Sequence, residues 1–155
     1  MKASIIGILL TITAIQYSNA QTRTDSTTST RPNQSQNPSF FTGGSAAVER
    51  MPTPPDFNCG AAKVTFQPKT RTVWHSHAGG QFIVVTQGTA WYQEKGKAKQ
   101  VIPQGGAVIC PPNVMHWHGA SPDGVMSHTV ATPNLDKGGA TAGQAVTDEE
   151  YNSKN

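Results

Sequence analysis

WHSHAGGQFIVVTQG, residues 74–88, places two histidines one residue apart, follows them with a Gly-Gly turn and a glutamine, and runs on through an apolar segment to a glycine. Residues i and i+2 of a strand face the same way, so His75 and His77 present their imidazoles to one side. A second pair, His116 and His118 in PPNVMHWHG (111–119), has the same spacing, and His128 completes the histidines of the chain. Facing inward from neighbouring strands, these rings can meet at one point. A lone buried histidine is ordinarily a hydrogen-bonded core residue. Several buried together, with no metal or polar network, would leave ring nitrogens unpaired at about 1–3 kcal/mol each. Neutral imidazole is the commonest metal ligand, so a metal site is expected here.

Outward from these pairs the chain reads as β structure. AAKVTFQP (61–68), Arg71–Trp74, QFIVVTQG (81–88), TAWYQE (89–94), AKQVIP (98–103), AVICPP (107–112) and VMSHTVAT (125–132) alternate or run apolar. Turn signals separate them: Pro68-Lys69, Gly79-Gly80, Gly88, Lys95-Gly96-Lys97, Pro103-Gln104-Gly105-Gly106, Pro112-Asn113 and Pro122-Asp123-Gly124. Short strands at near-regular spacing without a helical period predict an all-β sandwich or barrel. Phe40 to Pro55 mixes apolar residues with Gly and Pro and is expected to lie against the core as an irregular N-terminal segment. The β domain is placed at 40–135 and a tail at 136–155. In that tail Thr147 followed by Glu150 has the form of a capping box, predicting one short C-terminal helix.

The first 20 residues carry Lys2, an apolar run from Ile5 to Ile15 and Ser18-Asn19-Ala20, the pattern of a secretory signal cleaved after Ala20. The alternative, a membrane anchor, would need a longer run, since about 20 apolar residues span a bilayer. Residues 21–39, QTRTDSTTSTRPNQSQNPS, have almost nothing to bury and are expected to be a Ser/Thr-rich tether. An exported protein, periplasmic or secreted, is therefore expected. Loss of Lys2 lowers the formal charge from +3 to +2, and the basic residues form no block, which speaks against nucleic acid as a partner. Cys59 and Cys110 fit no paired metal motif and are either two small buried apolar residues or one bridge between strands.

Residues 75–88, H-S-H-A-G-G-Q-F-I-V-V-T-Q-G, resemble the first cupin motif, with Gln81 where that motif carries glutamate. Residues 105–116, G-G-A-V-I-C-P-P-N-V-M-H, resemble the second, with Asn113 in a glycine position, a mild departure because Asn tolerates positive φ. The resemblance implies a jelly-roll-type β-barrel, the cupin fold, over 40–135. W-H-x-H-x-x-G-Q, PPNVMHWHGASP (111–122), MSH (126–128), FFTG (40–43), KVTFQPKTRTVWH (63–75) and VTDEEY (146–151) are further similar to the small manganese-dependent cupin hydroxynitrile lyases and their bacterial relatives.

What that similarity implies is specific. His75, His77, Gln81 and His116 become metal ligands, with Mn(II) as the ion; oxygen and nitrogen ligation alone would equally admit Fe, Ni, Co or Zn. His118 and His128 become unligated pocket residues. His128 is a general base or else a core histidine, and His118 a cyanide-stabilising group or else a hydrogen-bonding support. Ala62, Val64 and Thr132 become small pocket walls beside a small-molecule substrate. Three imidazoles and an amide leave two positions of a six-coordinate ion open, and the neutral amide leaves the ion its full charge. The resulting expectation is a lyase that cleaves or forms the C–C bond of α-hydroxynitriles. A cupin dioxygenase or other oxidoreductase, which would more often retain the glutamate, and a non-catalytic metal-dependent binding protein are the alternatives. A homodimer or homotetramer is implied by the family and by the exposed strand edges of a small sandwich.

Overall fold

The computed structural model describes residues 40–154, so the expected leader (1–20) and tether (21–39) lie outside the described residues. Twelve strands form two antiparallel sheets. The first contains β1 (Phe41–Thr42), β4 (Arg71–Thr72), β5 (His75–His77), β7 (Thr89–Glu94), β8 (Gln100–Pro103), β10 (His116–Ala120) and β12 (Ala140–Ala142). The second has the order β2-β3-β11-β6-β9, from β2 (Ala46–Met51), β3 (Cys59–Phe66), β11 (Met126–Pro133), β6 (Gln81–Gln87) and β9 (Ala107–Cys110). Phe66, Ile83, Val85 and Met126 from one sheet pack with Ala90, Tyr92 and Ile102 from the other in a single apolar core. This is the curled two-sheet architecture expected of a cupin.

Each strand read from alternation is present. β3 shows why: Ala62, Val64 and Phe66 are buried while Lys63 and Thr65, between them, are half-exposed. Two segments differ from expectation. The stretch from Phe40 onward is not irregular: β2 pairs with β3 in unbroken register from Ala46↔Phe66 to Met51↔Ala61. Its sequence, AAVERM, is too weakly alternating to announce a strand, and pairing to β3 supplies what local preference does not. The tail after 135 likewise contributes to a sheet, because β12 pairs with β5 through Ala140↔His77 and Ala142↔His75.

The short C-terminal helix is present as α1 (Asp148–Asn152). The Thr147 hydroxyl accepts from the Glu150 N–H at 3.0 Å, and the Glu150 carboxylate accepts from the Thr147 N–H at 2.9 Å. Five residues are too few to be stable alone, and tertiary contacts hold this helix. Tyr151 is buried with Trp74, Trp117 and Val146 in a second apolar cluster, and its hydroxyl donates to the Ala120 carbonyl at 2.8 Å. Arg71 donates to the Val146 carbonyl at 2.9 Å and to the Asp148 carboxylate at 2.6 Å. The Trp74 indole donates to Glu150 at 3.2 Å. The strands carrying the paired histidines are thus backed by the end of the chain.

Cys59 and Cys110 are free. They lie on β3 and β9, three strand spacings apart in the same sheet. At about 4.8 Å per spacing that separation is roughly twice the reach of a disulfide. Of the two readings of these residues, Cys110 follows the buried one, whereas Cys59 is only half-buried. Desolvation pushes the Cys110 thiol up to about 12, leaving no thiolate for chemistry near neutral pH.

Candidate metal centre

All five histidines converge. His116 on β10 is the direct register partner of His75 on β5, and the two rings lie 4.3 Å apart between centroids. The His77 ring lies 5.1 Å from that of His75, and the His118 ring 5.2 Å from it, between centroids. His128 comes from the opposite sheet, on β11, and its Nε2 meets His118 Nδ1 at 3.1 Å. Gln81 opens β6, also in that sheet, and lines the same cavity as His75, His77, His118 and His128. The Gly79-Gly80 turn makes this placement possible. A Cβ on Gly79 would collide with the Pro133 carbonyl, and Gly80 adopts φ of +80°. Asn113 takes φ of +62°, as its place in the second motif requires, and its N–H donates to the His77 carbonyl at 2.9 Å.

Backbone carbonyls fix the tautomers of two rings. His75 Nδ1 donates to the Val73 carbonyl at 3.0 Å and His116 Nδ1 to the Val114 carbonyl at 2.9 Å, so each keeps its proton on Nδ1 and turns an Nε2 lone pair elsewhere. Several buried polar atoms have no hydrogen-bond partner among the described residues: both ring nitrogens of His77, Gln81 Oε1, His116 Nε2, His118 Nε2 and His128 Nδ1. Uncompensated atoms of this kind are costly in an apolar interior, and a shared cation would satisfy several at once. Desolvation lowers the pKa of every ring, to about 3 for His75 and about 4 for His77 and His128. His116 is also lowered, and His118 is held well below its ordinary value. Five neutral imidazoles at pH 7 are chemically suited to a divalent metal.

Of the expected ligands, His75, His77 and His116 have ring centroids 4.3–5.7 Å apart, and Gln81 lines the same cavity as His75 and His77. One further relation was not expected. Ring nitrogens of His75, His116 and His118 lie within 4.8 Å of one another, which makes His118 a candidate ligand as well as a neighbour of His128. Ala62 and Val64 line the histidine cavity, of about 370 Å³. Thr132 lines instead an adjoining cavity of about 520 Å³, two residues beyond Val130, which borders both.

Sequence reasoning missed the aromatic wall. Phe66 packs 5.2 Å from His128 and 5.8 Å from His118, and Phe40 packs 5.1 Å from His75. For Phe66 the signal existed: it shares the inward face of β3 with Ala62 and Val64. Phe40 had none, because it reaches the site across the sheet edge through its carbonyl, which accepts from the Val73 N–H at 2.8 Å.

Comparison with known proteins agrees with this geometry. Residues 62–130 match the cupin domain. The chain is 38% identical over 112 residues to the (R)-mandelonitrile lyase of Granulicella tundricola, covering 72% of this chain and 86% of that one. A cupin-like protein from Thermotoga maritima is 43% identical, with a TM-score of 0.69 over 72% of this chain and 85% of its own. A DMSP lyase from Ruegeria pomeroyi shares the fold at 14% identity, with a TM-score of 0.54 over 66% of this chain and 51% of its own. With paired histidines on adjacent strands of a two-sheet barrel, and with relatives matched over most of its described length, this chain belongs to the cupin family.

Proposed function

We propose that this cupin is a metal-dependent lyase that cleaves or forms the C–C bond of α-hydroxynitriles, exchanging a cyanohydrin for an aldehyde and hydrogen cyanide. The observation that carries the reading is the His118–His128 pair, bonded at 3.1 Å with one unpartnered nitrogen on each ring and both rings lining the cavity of the ligand set. The similarity to a protein named (R)-mandelonitrile lyase supports the choice of substrate class.

His75, His77, Gln81 and His116 would hold the ion, for which we propose Mn(II). When bound, a divalent cation among these neutral donors supplies Lewis acidity toward a substrate oxygen. The protein's own groups do the rest. One proton lies between His128 Nε2 and His118 Nδ1. When His128 carries it, His128 Nδ1 offers a lone pair and His118 Nε2 carries a hydrogen. His128 Nδ1 then takes the hydroxyl proton while the C–C bond breaks, its electron pair leaving with cyanide. His118 Nε2–H stabilises the departing anion, and the acquired proton, shared across the His118–His128 bond, is delivered to it as hydrogen cyanide. Burial keeps His128 neutral, so its lone pair is available throughout the neutral range. Phe40, Phe41 and Phe66 exclude water and offer an aromatic surface to the substrate. We further propose that the protein acts outside the cytoplasm, on the strength of the leader-like sequence at 1–20.

The test is cyanide release from mandelonitrile by protein loaded with Mn(II), with elemental analysis of the protein as purified. His128→Ala should lower turnover at least about 100-fold, the lower end for loss of a general base. Release no faster than that variant would overturn the proposal.

A further inference from the structure

Among the described residues, Arg50 is the sole formally charged side chain lining either the histidine cavity or the cavity beside it. Its position is not incidental. Arg50 stands directly opposite Ala62 in the β2–β3 register, as Val48 stands opposite Val64. Directly opposed residues of an antiparallel pair project from the same face, so these four side chains share the face that borders the site. The neighbouring Glu49 points the other way, where it pairs with Lys63 at 3.4 Å. No carboxylate lines either cavity, and Arg50 has no ion pair or side-chain hydrogen bond among the described residues. Most of the other side chains lining the histidine cavity are apolar, among them Val48, Val64, Phe66 and Val130.

We propose that Arg50 is a specificity residue and that the natural substrate carries a carboxylate at the end remote from its hydroxyl. The inference rests on the lyase reading only in placing the reacting carbon at the histidine cluster. A guanidinium presents a planar fork of donors that matches a carboxylate, and none of its neighbours in the cavity competes for it. An apolar or aromatic spacer fits the apolar walls. The site therefore asks for a molecule in three parts: a hydroxylated head, an apolar body and an anionic tail. Neutral mandelonitrile would satisfy the first two and leave Arg50 unused, which makes simple cyanohydrins incomplete substrates for this chain.

Calorimetric binding to metal-loaded full-length protein tests this without turnover, using 4-(hydroxymethyl)benzoate and benzyl alcohol as probes. The carboxylate should bind roughly tenfold more tightly, as expected for one charge-assisted contact to the exposed Arg50. Arg50→Gln should abolish that preference while sparing benzyl alcohol, and Arg50→Lys should retain part of it. Rising salt should weaken the carboxylate alone. If Arg50→Gln cannot be purified folded, the Arg50→Lys and salt measurements decide. Equal affinity of the two probes, lack of saturable binding of the carboxylate, or a carboxylate preference that survives in Arg50→Gln because the metal alone holds the anion, would each overturn the proposal. Failure of cyanide release would count against the lyase reading and leave this comparison standing.

Discussion

Lowering the pH of the metal-free protein from 7 to 5 should destabilise it strongly, and the size of the effect follows from the buried histidines. A group whose folded pKa is depressed binds its proton more readily in the unfolded chain. Stability is therefore present above the unfolded value near 6.5 and is lost as pH falls through the window down to the folded value. That window runs from 6.5 to about 3 for His75 and to about 4 for His77 and His128. Within it, each histidine steepens the dependence by about 1.4 kcal/mol per pH unit. Between pH 7 and 5 each then costs about 2 kcal/mol, and the three together about 6 kcal/mol, with His116 and His118 adding in the same direction. A domain of this size has roughly 5–15 kcal/mol in all. Urea denaturation of chelator-treated protein, followed by circular dichroism at several pH values, measures the slope. His128→Asn should reduce it by one proton's worth, because asparagine does not titrate. A stability that stays level from pH 7 to 5 in the metal-free protein would refute the reasoning, since the rings would then have to be solvated or already charged.

Metal removal by chelation should lower the melting temperature at pH 7, because several buried acceptors lose the partner that satisfies them; an unchanged melt after verified removal would argue against the ligand set. Tyr151→Phe should cost about 1–2 kcal/mol in chemical denaturation, since the buried Ala120 carbonyl loses its donor. Gly79→Ala should reduce metal content measured by elemental analysis, because the added methyl meets the Pro133 carbonyl and the turn that delivers Gln81 must shift. Ala62→Leu should suppress turnover of mandelonitrile more than that of acetone cyanohydrin, as the larger side chain occupies part of a cavity of about 370 Å³.

The histidine pairs were legible because two-residue spacing on a strand has one geometric meaning, and the turn at Gly79-Gly80 was legible because few residues but glycine serve there. The strands of the second sheet were equally plain where alternation was strong, as along Val64 and Phe66. What escaped was pairing between segments distant in sequence. β2 and β12 are strands because β3 and β5 offer them open edges, and neither AAVERM nor ATA carries that information. The same holds for the site. Its candidate ligands announce themselves by residue type, whereas Phe40 and Arg50 belong to it only through register across a sheet edge. Thr132 sits beside the second cavity for the converse reason: its face on β11 was right, but its depth along the strand depended on the three-dimensional path.

The pairing of β12 with β5 also sets a schedule for maturation. His75 and His77 lie on a strand whose free edge is closed by residues 140–142, and Val146 and Tyr151 pack with Trp74 and Trp117, the sequence neighbours of the paired histidines. A nascent chain that has emerged only as far as His118 or His128 therefore possesses every candidate ligand but not the strand pairing that closes the edge of β5. Metal capture by the folded site would then await residues 140–142, and a variant ending before residue 140 should keep all five histidines yet retain less metal.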